Sequence, residues 1–513
     1  MTRSKPLLKK LRTLSQDNNK INISLNRNAK EYASVSRAYY AKHYLKLQMP
    51  DHQFNWLQQI NKHRFSFLKS PRDHGKTTVI PRTHTEHTTL FNQNRNVLLL
   101  SKTYKQANKT LKLIHTDLKK NPFIQADFAK ELIDLHKVDN QLFYNHSESL
   151  EDVKRDATVE AVGLLGDITG GHFTDILLDD IIDDENSRTH DSRENVWKWL
   201  NGTIIPLLEP GGHIFGTGTN KHYEDVYTKM EENTAWYVIS EKAILQWPDS
   251  WDYVYHPETG VAIDVTNIKG PYKTLWPDKW GIKELLLQLN AMGSVLFNRE
   301  YQNDAAGMKG KILKDFWLNW YAIQPERQTS NIHGCPPWES LEIYQGYDLA
   351  IGQKEKNDYF VATTIGVQKN PFRIYFLDWY REKLPFPKQV KMVYKLFDGP
   401  LTDIWQGRTW NPLQVGIESN AYQIALAQQV LDDSSLPVKE IMNVKNKVVR
   451  ITAGAVNYEN GLVYLPVDHP QTSNFLNEYT SFDDGKHDDI LDSGDITMRI
   501  LITSGPERAD VFG

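Results

Sequence analysis

Cysteine is almost absent from this chain of 513 residues, because Cys335 is the only one. A single cysteine excludes an internal disulfide and a zinc site made of cysteines alone, and it agrees with a reducing cytoplasm. The sequence also lacks any apolar run near the roughly 18 residues that span a bilayer, and its basic amino terminus lacks the apolar core of a secretory signal. We therefore expect a protein that works in solution, is not secreted and does not enter a membrane.

Composition does not set the whole chain apart. Hydrophobic residues make up 40% of the sequence, charged residues 24%, and the formal net charge is −4, which are the values of a soluble globular protein. A length of 513 residues exceeds one ordinary hydrophobic core and predicts two or more domains.

The amino-terminal 50 residues carry a local excess of basic side chains. They contain eleven Lys or Arg residues against only Asp17 and Glu31. Such an arm suits contact with phosphates or with an acidic protein, and it equally suits a solvated, partly disordered tail. Residues 1–50 are therefore predicted as a basic arm, and both interpretations stay open.

Apolar runs typical of strands alternate with helical patterns in two separate blocks, which predicts two α/β domains. In the first block NVLLLS (96–101) is typical of a buried parallel strand, and TDILLDD and GHIFGTGTN are two more. In the second block EIYQGYDLAIG, YFVATTIGV and FRIYFLDWY are successive strands, the last two being candidates for a hairpin. Between about 246 and 335 the chain is rich in Trp, Pro and Gly, which favours a connecting region.

Residues 65–78, FSFLKSPRDHGKTT, are similar to a phosphate-binding loop between a strand and a helix. The P-loop pattern has Gly, four residues and then Gly-Lys-Ser/Thr, and here Ser70 stands at the first glycine position. The remaining chemistry is present. Gly75 lets the backbone approach phosphates, Lys76 supplies positive charge and Thr77 offers its hydroxyl to Mg²⁺.

Two adjacent carboxylates, Asp179 and Asp180, follow an apolar run about 100 residues after this loop. In a P-loop ATPase the first would hold Mg²⁺ through water, and the second would orient or deprotonate the attacking water. The alternative is a solvated acidic loop, because residues 183–185 are acidic too. The order of strand and carboxylates, together with the GKT sequence, favours the ATPase. Thr217, at the end of a third strand, is placed to sense the γ-phosphate.

At these residues the chain resembles the large-subunit family of tailed-virus terminases, and the likeness covers most of residues 50–500. SPRDHGKTT is similar to the family's P-loop variant, which would make Arg72 a cis-acting arginine near the phosphates. MPDHQFNWL is similar to its adenine-reading segment, with Gln53 as the reader. Thr217 falls where the family has its coupling motif, and LFNREYQNDA (296–305) is similar to its signature before the linker.

The chain departs from the family at two points. The second carboxylate is usually Glu, and Asp180 is shorter by one methylene, so the attacking water must shift. Many members also have an arginine just before this motif that reaches the neighbouring subunit's site, whereas GDITGGHFTDILLDD has none. Arg155, Arg188 and Arg193 remain candidates for a trans-acting arginine.

Acidic residues in the second block stand in the order that an RNase H-like nuclease needs. They are Asp348 in GYDLAIG, Glu418 in LQVGIESNAYQ, and Asp488, Asp489 and Asp492 in HDDILDSGD at an apparent helix start. Two divalent ions about 3.5–4 Å apart need several converging carboxylates, and hard oxygen ligands suit Mg²⁺ or Mn²⁺. Taken singly, each acid is more often a structural cap or a solvated helix start.

The resemblance assigns these acids more narrowly. It implies Asp348, Glu418 and Asp488 as metal ligands and Asp489 as a close auxiliary. Asp492 ranks below them, because it shares a helical face with Asp488 but is equally suited to capping or pairing.

The predicted fold class is α/β, with a RecA/ASCE-like P-loop ATPase domain followed by an RNase H-like nuclease domain. The predicted boundaries are a basic arm 1–50, an ATPase domain 51–245, a connecting region 246–335, a nuclease domain 336–505 and a tail 506–513. Lys447 and Arg450, in the stretch before the last acidic cluster, suit contact with DNA phosphates or, equally, a structural ion pair.

The resemblance implies an ATP-driven motor that moves viral double-stranded DNA into a procapsid and cuts concatemeric DNA. ATP would be hydrolysed with Mg²⁺ at Lys76 and Asp180, and DNA would be cut at Asp348, Glu418 and Asp488 with two Mg²⁺ or Mn²⁺ ions. The implied partners are the portal protein, a small terminase subunit and further copies of the chain, five in a ring. The implied location is the host cytoplasm, transiently on the portal.

Two other interpretations stay open. A cellular DNA translocase or helicase with an accessory nuclease shares the P-loop, Gln53 and the Asp179–Asp180 pair, but we find no second RecA-like block in the sequence. A non-enzymatic DNA-binding or assembly protein with decayed motifs agrees with Ser70 and with the missing arginine, and the surviving lysine and carboxylates argue against it.

Overall fold

A computed structural model describes most of the chain. The described residues are 29–60, 62–92, 94–144, 157–168, 171–257, 259–304, 312–349, 359–405, 407–418, 436–442, 447–482 and 488–503. Residues 1–28 of the predicted arm, Arg155, Ala305 and the predicted tail 506–513 lie outside them.

The chain forms two compact units. Unit 1 comprises Met1–Trp247, Tyr272–Ile282 and Asn298–Lys309, and unit 2 comprises Pro248–Pro271, Lys283–Phe297 and Gly310–Gly513. Residues 246–335, predicted as a connecting region, are thus divided between the two units.

The strands are β1 (Phe65–Lys69), β2 (Val97–Ser101), β3 (His136–Val138), β4 (Gln141–Phe143), β5 (Val159–Gly163), β6 (Phe173–Asp179), β7 (Leu208–Gly218), β8 (Tyr237–Ser240), β9 (Ile244–Gln246), β10 (Ser250–Tyr255), β11 (Ala262–Lys269), β12 (Lys273–Thr274), β13 (Asn319–Ala322), β14 (Ile332–Gly334), β15 (Leu341–Asp348), β16 (Phe360–Lys369), β17 (Phe372–Glu382), β18 (Gln414–Glu418), β19 (Val438–Ile441) and β20 (Val463–Pro466).

The α-helices are α1 (Ala29–Val35), α2 (Arg37–His43), α3 (Asp51–Gln59), α4 (Lys76–Phe91), α5 (Tyr104–Lys120), α6 (Pro122–Asp127), α7 (His190–Trp199), α8 (Val226–Glu232), α9 (Ile282–Glu300), α10 (Phe386–Asp398), α11 (Lys447–Glu459), α12 (Thr472–Thr480) and α13 (Asp489–Thr503). Helix α9 is kinked at Gly293, whose φ is +77°. Among the residues that the structure describes, no helix has the length and apolar character to cross a membrane.

The sheet of unit 1 has eight strands in the order β3-β4-β5-β2-β6-β7-β1-β8. The six strands from β5 to β8 in this order are parallel, and β3 and β4 form an antiparallel hairpin at one edge. Strand β7 lies between β1, which leads into the P-loop, and β6, which carries the acidic pair. This is the strand order of RecA/ASCE-like P-loop ATPases, and it confirms the predicted fold class for unit 1.

Apolar side chains on both faces explain why these strands are central. Every residue of β2 is buried, as expected for a parallel strand covered by helices on both sides. Helix α5 covers one face, and four apolar residues on one side of this helix are fully buried, namely Ala107, Leu111, Ile114 and Leu118.

The sheet of unit 2 also has eight strands, in the order β14-β13-β20-β17-β16-β15-β18-β19. Strands β15, β16 and β17 form an antiparallel meander, which confirms the predicted hairpin, and β18 and β19 continue the sheet in parallel beside β15. This is the RNase H-like arrangement predicted for the second block. Strands β20, β13 and β14 extend it in parallel beyond β17.

Candidate functional site

The loop after β1 in unit 1 has the backbone shape of a phosphate site. Gly75 adopts φ +87° directly before α4, and a Cβ there would lie 2.5 Å from the Gln53 Nε2 atom. Asp73 also adopts a positive φ, of 59°. Only glycine suits position 75, therefore, and the loop turns directly into the amino terminus of a helix, where unpaired N–H groups attract anions.

The predicted ATPase residues converge at the carboxyl ends of three adjacent strands. Asp179 on β6 pairs in register with Thr217 on β7, and the Oδ1 atom of Asp179 accepts hydrogen bonds from Thr217 Oγ1 at 3.1 Å and from Thr77 Oγ1 at 3.0 Å. The Lys76 Nζ atom lies 3.2 Å from Asp180 Oδ1. Segments about 100 residues apart in sequence thus form one network of charge and hydroxyl groups.

Burial controls the charge of this network. The pKa of Asp179 is raised to about 7, first by burial and then by the neighbouring Asp180, while hydrogen bonds from Thr77 and Thr217 and the charge of Lys76 oppose the rise. A buried carboxylate whose negative charge is only partly compensated suits a divalent cation, because the cation would stabilise its ionised form. Asp180 adopts a left-handed φ of 46°, a strained conformation of the kind found at functional sites.

Gln53 and Arg72 both lie at the same loop. The Gln53 side chain is buried, and its Nε2 donates to the backbone oxygen of His74 at 2.9 Å. Gln53 therefore contacts the P-loop backbone, a contact that its sequence position did not reveal. Arg72 has an exposed side chain, and its backbone N–H donates to the Glu300 oxygen at 2.8 Å. The adenine contact of Gln53 and the phosphate contact of Arg72 stay predictions.

Two of the three candidate trans-acting arginines are described. Arg193 is buried and donates to the backbone oxygen of Ser187 at 3.0 Å and to Glu224 at 2.9 Å. Those contacts give it a structural role within this chain. Arg188 has an exposed side chain, so of the two it is the better placed to reach another molecule.

In unit 2, three carboxylates meet near the carboxyl ends of two neighbouring inner strands. Asp348 ends β15 and Glu418 ends β18, and these strands are parallel neighbours. Asp492 on α13 is the third, and one carboxylate oxygen from each of the three lies within 4.8 Å of the others. Oxygen ligands from three elements around one point suit a hard divalent cation.

Two glycines allow α13 to come this close to the sheet. Gly346 and Gly416 pair in register on β15 and β18, each two residues before its strand's carboxylate. A Cβ on Gly346 would lie 2.8 Å from the backbone oxygen of Ser493, and one on Gly416 would lie 2.6 Å from the Ile500 Cδ1 atom. Neither glycine is among the residues predicted from the sequence, although their shared spacing in GYD and GIE was a usable signal.

The structure departs from the predicted ligand set at α13. Asp488 was predicted as the third ligand, but its Oδ1 lies 2.6 Å from Lys447 Nζ, while Asp492, which ranked lower, joins Asp348 and Glu418. Asp488 precedes α13, whereas Asp492 lies about one turn inside this helix, which packs on β15. Asp492 therefore joins Asp348 and Glu418 in the candidate metal site, and metal binding by Asp488 stays a prediction.

Asp489, the predicted auxiliary, remains beside this cluster. Its Oδ2 accepts from Arg381 at 3.2 Å, and its charge contributes to the raised pKa of Asp348. Burial is the largest cause of that rise, followed by repulsion from Asp492, with Lys447 opposing it and with Glu418 and Asp489 adding to it.

Lys447 and Arg450 form ion pairs, one of the two roles that the sequence left open. Lys447 lies 3.0 Å from Asp492 as well as beside Asp488, and Arg450 contacts Asp492 at 2.9 Å and Asp495 at 2.7 Å. The charges of Asp492 and Asp488 hold the pKa of Lys447 above its usual value despite the opposing effect of burial. Lys447 thus stays charged beside the carboxylates.

The sequence matches no protein-family model, and no curated protein matches it. In structure, the chain is similar to the large terminase from a thermophilic bacteriophage, over 89% of this chain and 100% of that chain, with 11% identity and a TM-score of 0.42. The same terminase in complex with ATP-gamma-S covers 88% of this chain and 99% of its own, with 12% identity and a TM-score of 0.45. The large terminase nuclease from thermophilic phage G20c with bound magnesium covers 37% of this chain and 97% of its own, with 16% identity and a TM-score of 0.27.

Proposed function

We propose that this chain is a large terminase subunit, an ATP-driven motor that moves viral double-stranded DNA into a procapsid and cuts concatemeric DNA. The observation that carries the proposal is the pairing of two sites in one chain. Unit 1 joins a P-loop lysine and threonine to two strand-end carboxylates, and unit 2 gathers three carboxylates at the edge of an RNase H-like sheet.

ATP hydrolysis is the role of the unit 1 site. Lys76 places its charge beside the terminal phosphates, and Asp179 and Thr77 are the groups that would hold Mg²⁺. Asp180 orients the attacking water and accepts its proton. Thr217 shares the Asp179 oxygen with Thr77, so a change at the phosphates reaches β7 through that contact.

Phosphodiester cleavage is the role of the unit 2 site. Asp348, Glu418 and Asp492 would hold Mg²⁺ or Mn²⁺, which when bound supplies an activated water and stabilises the leaving oxygen. Asp492 is also held in place by Lys447 and Arg450. Close packing of α13 on β15 fixes the distances among the three carboxylates.

The proposal extends to the partners that a packaging motor needs. They are duplex DNA gripped through its phosphates, the portal protein, a small terminase subunit and four further copies of the chain in a ring of five on the portal. The motor would act in the host cytoplasm. A helicase would use a second RecA-like sheet, whereas the eight-stranded sheet of unit 2 contains the antiparallel meander of β15, β16 and β17.

Nicking of supercoiled plasmid with Mg²⁺ or Mn²⁺, measured beside ATP turnover, tests the proposal. Asp348→Ala is expected to abolish nicking and to leave ATP hydrolysis intact. Lys76→Ala is expected to lower ATP turnover by about 10²-fold or more and to leave nicking intact. If the folded wild-type chain never cuts, or Asp348→Ala cuts as well as wild type, the nuclease assignment is wrong.

A further inference from the structure

Helix α5 of unit 1 presents a continuous lysine face to solvent. With a rotation of about 100° per residue, five lysines fall within an arc of about 100° opposite the apolar face that packs on the sheet. They are Lys105, Lys109, Lys112, Lys119 and Lys120, and all five are exposed. The one other residue in this arc is Thr116, so the arc itself holds no apolar side chain, and the exposed Leu113 lies just outside it beside Lys120.

No carboxylate of the described residues neutralises this lysine face. None of the five ammonium groups forms an ion pair or a hydrogen bond with the described part of the chain. The helix has a single acidic residue, Asp117, which lies outside the arc and is held by Arg82 at 2.6 and 2.8 Å. The positive charge is therefore directed outwards.

A neighbouring hairpin adds to this charge. Burial and the charge of Lys112 lower the pKa of Lys137 on β3, and Asp139 is the acid that opposes them. Burial, Lys119 and Lys137 lower the pKa of His115 on α5. Lys137, whose ammonium donates to the backbone oxygen of Asp139, is therefore within electrostatic range of the lysine face.

Repulsion along this face means that stability does not explain it. Lys105 and Lys109 are four residues apart and Lys109 and Lys112 three, which are the spacings at which like charges destabilise a helix. A polyanion along the helix would relieve that repulsion. The helix has 17 residues, a length of about 25 Å, which spans several phosphates of a duplex.

We propose that the lysine face of α5 is the surface through which unit 1 contacts the phosphates of double-stranded DNA. Lysine suits this role because its ammonium is a flexible point charge, whereas base reading favours the bidentate guanidinium of arginine. The sequence of α5 contains no arginine. The inference rests on the proposed packaging function and adds to it the surface that holds DNA of any sequence.

Salt-dependent binding of the full chain to a fluorescent duplex, in buffer with EDTA to prevent cutting, tests this surface. The variant is the triple Lys105→Gln, Lys109→Gln, Lys112→Gln. Each lost phosphate contact lowers the slope of log affinity against log salt by about 0.9, so the slope is expected to fall by about 3. The fall should be the same for two duplexes of unrelated sequence.

The matched control is Lys388→Gln, Lys391→Gln, Lys395→Gln, which removes three exposed lysines from α10 in unit 2 with the same change of charge. It is expected to keep the wild-type slope. The surface is wrong if the α5 variant keeps the wild-type slope, or if both triples lose equally. If the wild type binds no duplex at all, the packaging function fails as well. If the α5 variant keeps the wild-type slope while the same preparations nick plasmid and hydrolyse ATP, only the proposed surface is wrong.

Discussion

Units 1 and 2 both place acidic side chains at the carboxyl ends of parallel strands, but the groups that compensate the charge differ. In unit 1 Lys76 pairs with Asp180 at 3.2 Å, and the buried Asp179 beside it accepts hydrogen bonds from the hydroxyls of Thr77 and Thr217. In unit 2 Asp492 forms an ion pair with Lys447 at 3.0 Å. Hydroxyl groups stabilise a carboxylate without cancelling its charge, whereas a lysine cancels it.

This difference has a chemical consequence for each site. The Asp179 carboxyl, with its pKa near 7, has charge left for a cation that arrives with the nucleotide. At Asp492 an arriving cation competes with an ammonium group already in place. We therefore expect the proposed ATPase site to bind its metal together with ATP, and the proposed nuclease site to bind metal more weakly and with displacement of Lys447.

The largest expected effect would break the unit 2 half of the comparison. Asp492→Asn removes one of the three converging carboxylates, so metal-dependent plasmid nicking is expected to fall by about 10²-fold or more. The matched variant Asp488→Asn removes a carboxylate of the same helix start that lies beside Lys447, and it should reduce nicking less than tenfold. Titration calorimetry with Mn²⁺ should rank the two variants in the same way, and the reverse ranking would restore Asp488 as the ligand.

Much of the fold could be predicted because its signals are local. The buried run of β2, the hairpin of β16 and β17 and the glycine, lysine and threonine of the P-loop each depend on a few adjacent residues. Strand-end acids were also predictable, since Asp179, Asp348 and Glu418 all close apolar runs, and parallel strands place such residues at one edge of a sheet.

The rest depended on packing between distant segments. Asp488, Asp489 and Asp492 lie within about one helical turn of one another, and which of them approaches Asp348 depends on how α13 packs on the sheet. That position depends on Gly346 and Gly416, which are far from α13 in sequence. Similarly, the position of Gln53 was predictable, but its hydrogen bond to the P-loop backbone depends on how α3 packs.

A smaller effect should sharpen the comparison by loosening only unit 2. Gly346→Ala would place a Cβ 2.7 Å from the Thr497 backbone nitrogen and 2.8 Å from the Ser493 oxygen. Backbone atoms of α13 cannot turn aside, so overpacking of about 1–3 kcal/mol is expected. Thermal unfolding of unit 2 should shift down by several degrees, since about 2–4 °C corresponds to each kcal/mol in a domain of this size. Nicking should fall several-fold while ATP turnover holds.

Gly454→Ala is the matched control for that substitution. It lies in α11 of the same unit, and a Cβ there would meet Asp495 Oδ1 at 3.6 Å and Met498 Cε at 3.8 Å, which are ordinary contacts. Alanine is also the better helix former, so its unfolding temperature should stay level or rise. Equal losses in both glycine variants would mean that the approach of α13 to β15 is not what holds the site.

The smallest effect concerns the unit 1 half, where hydroxyl groups bind Asp179 directly and Lys76 pairs with the neighbouring Asp180. Thr217→Val removes one of the two hydroxyl donors to Asp179, so the pKa of that carboxyl, raised to about 7, should rise further by less than about one unit. Mg²⁺ binds the deprotonated carboxylate, so affinity for Mg²⁺ with ATP should increase as the pH rises through about 7 in the wild type and at a higher pH in the variant. Calorimetric titration from about pH 5.5 to about pH 8.5, a range that brackets this pKa, measures both midpoints, and Thr217→Ser, which keeps the hydroxyl, should restore the wild-type one.

Without ligand the pH dependence of stability has the opposite sign, because a folded-state pKa above the ordinary 3.8 means that stability is lost as the pH rises between those values. Identical midpoints in all three proteins would show that Asp179 does not control cation binding, and the contrast between the two units would then lose its basis.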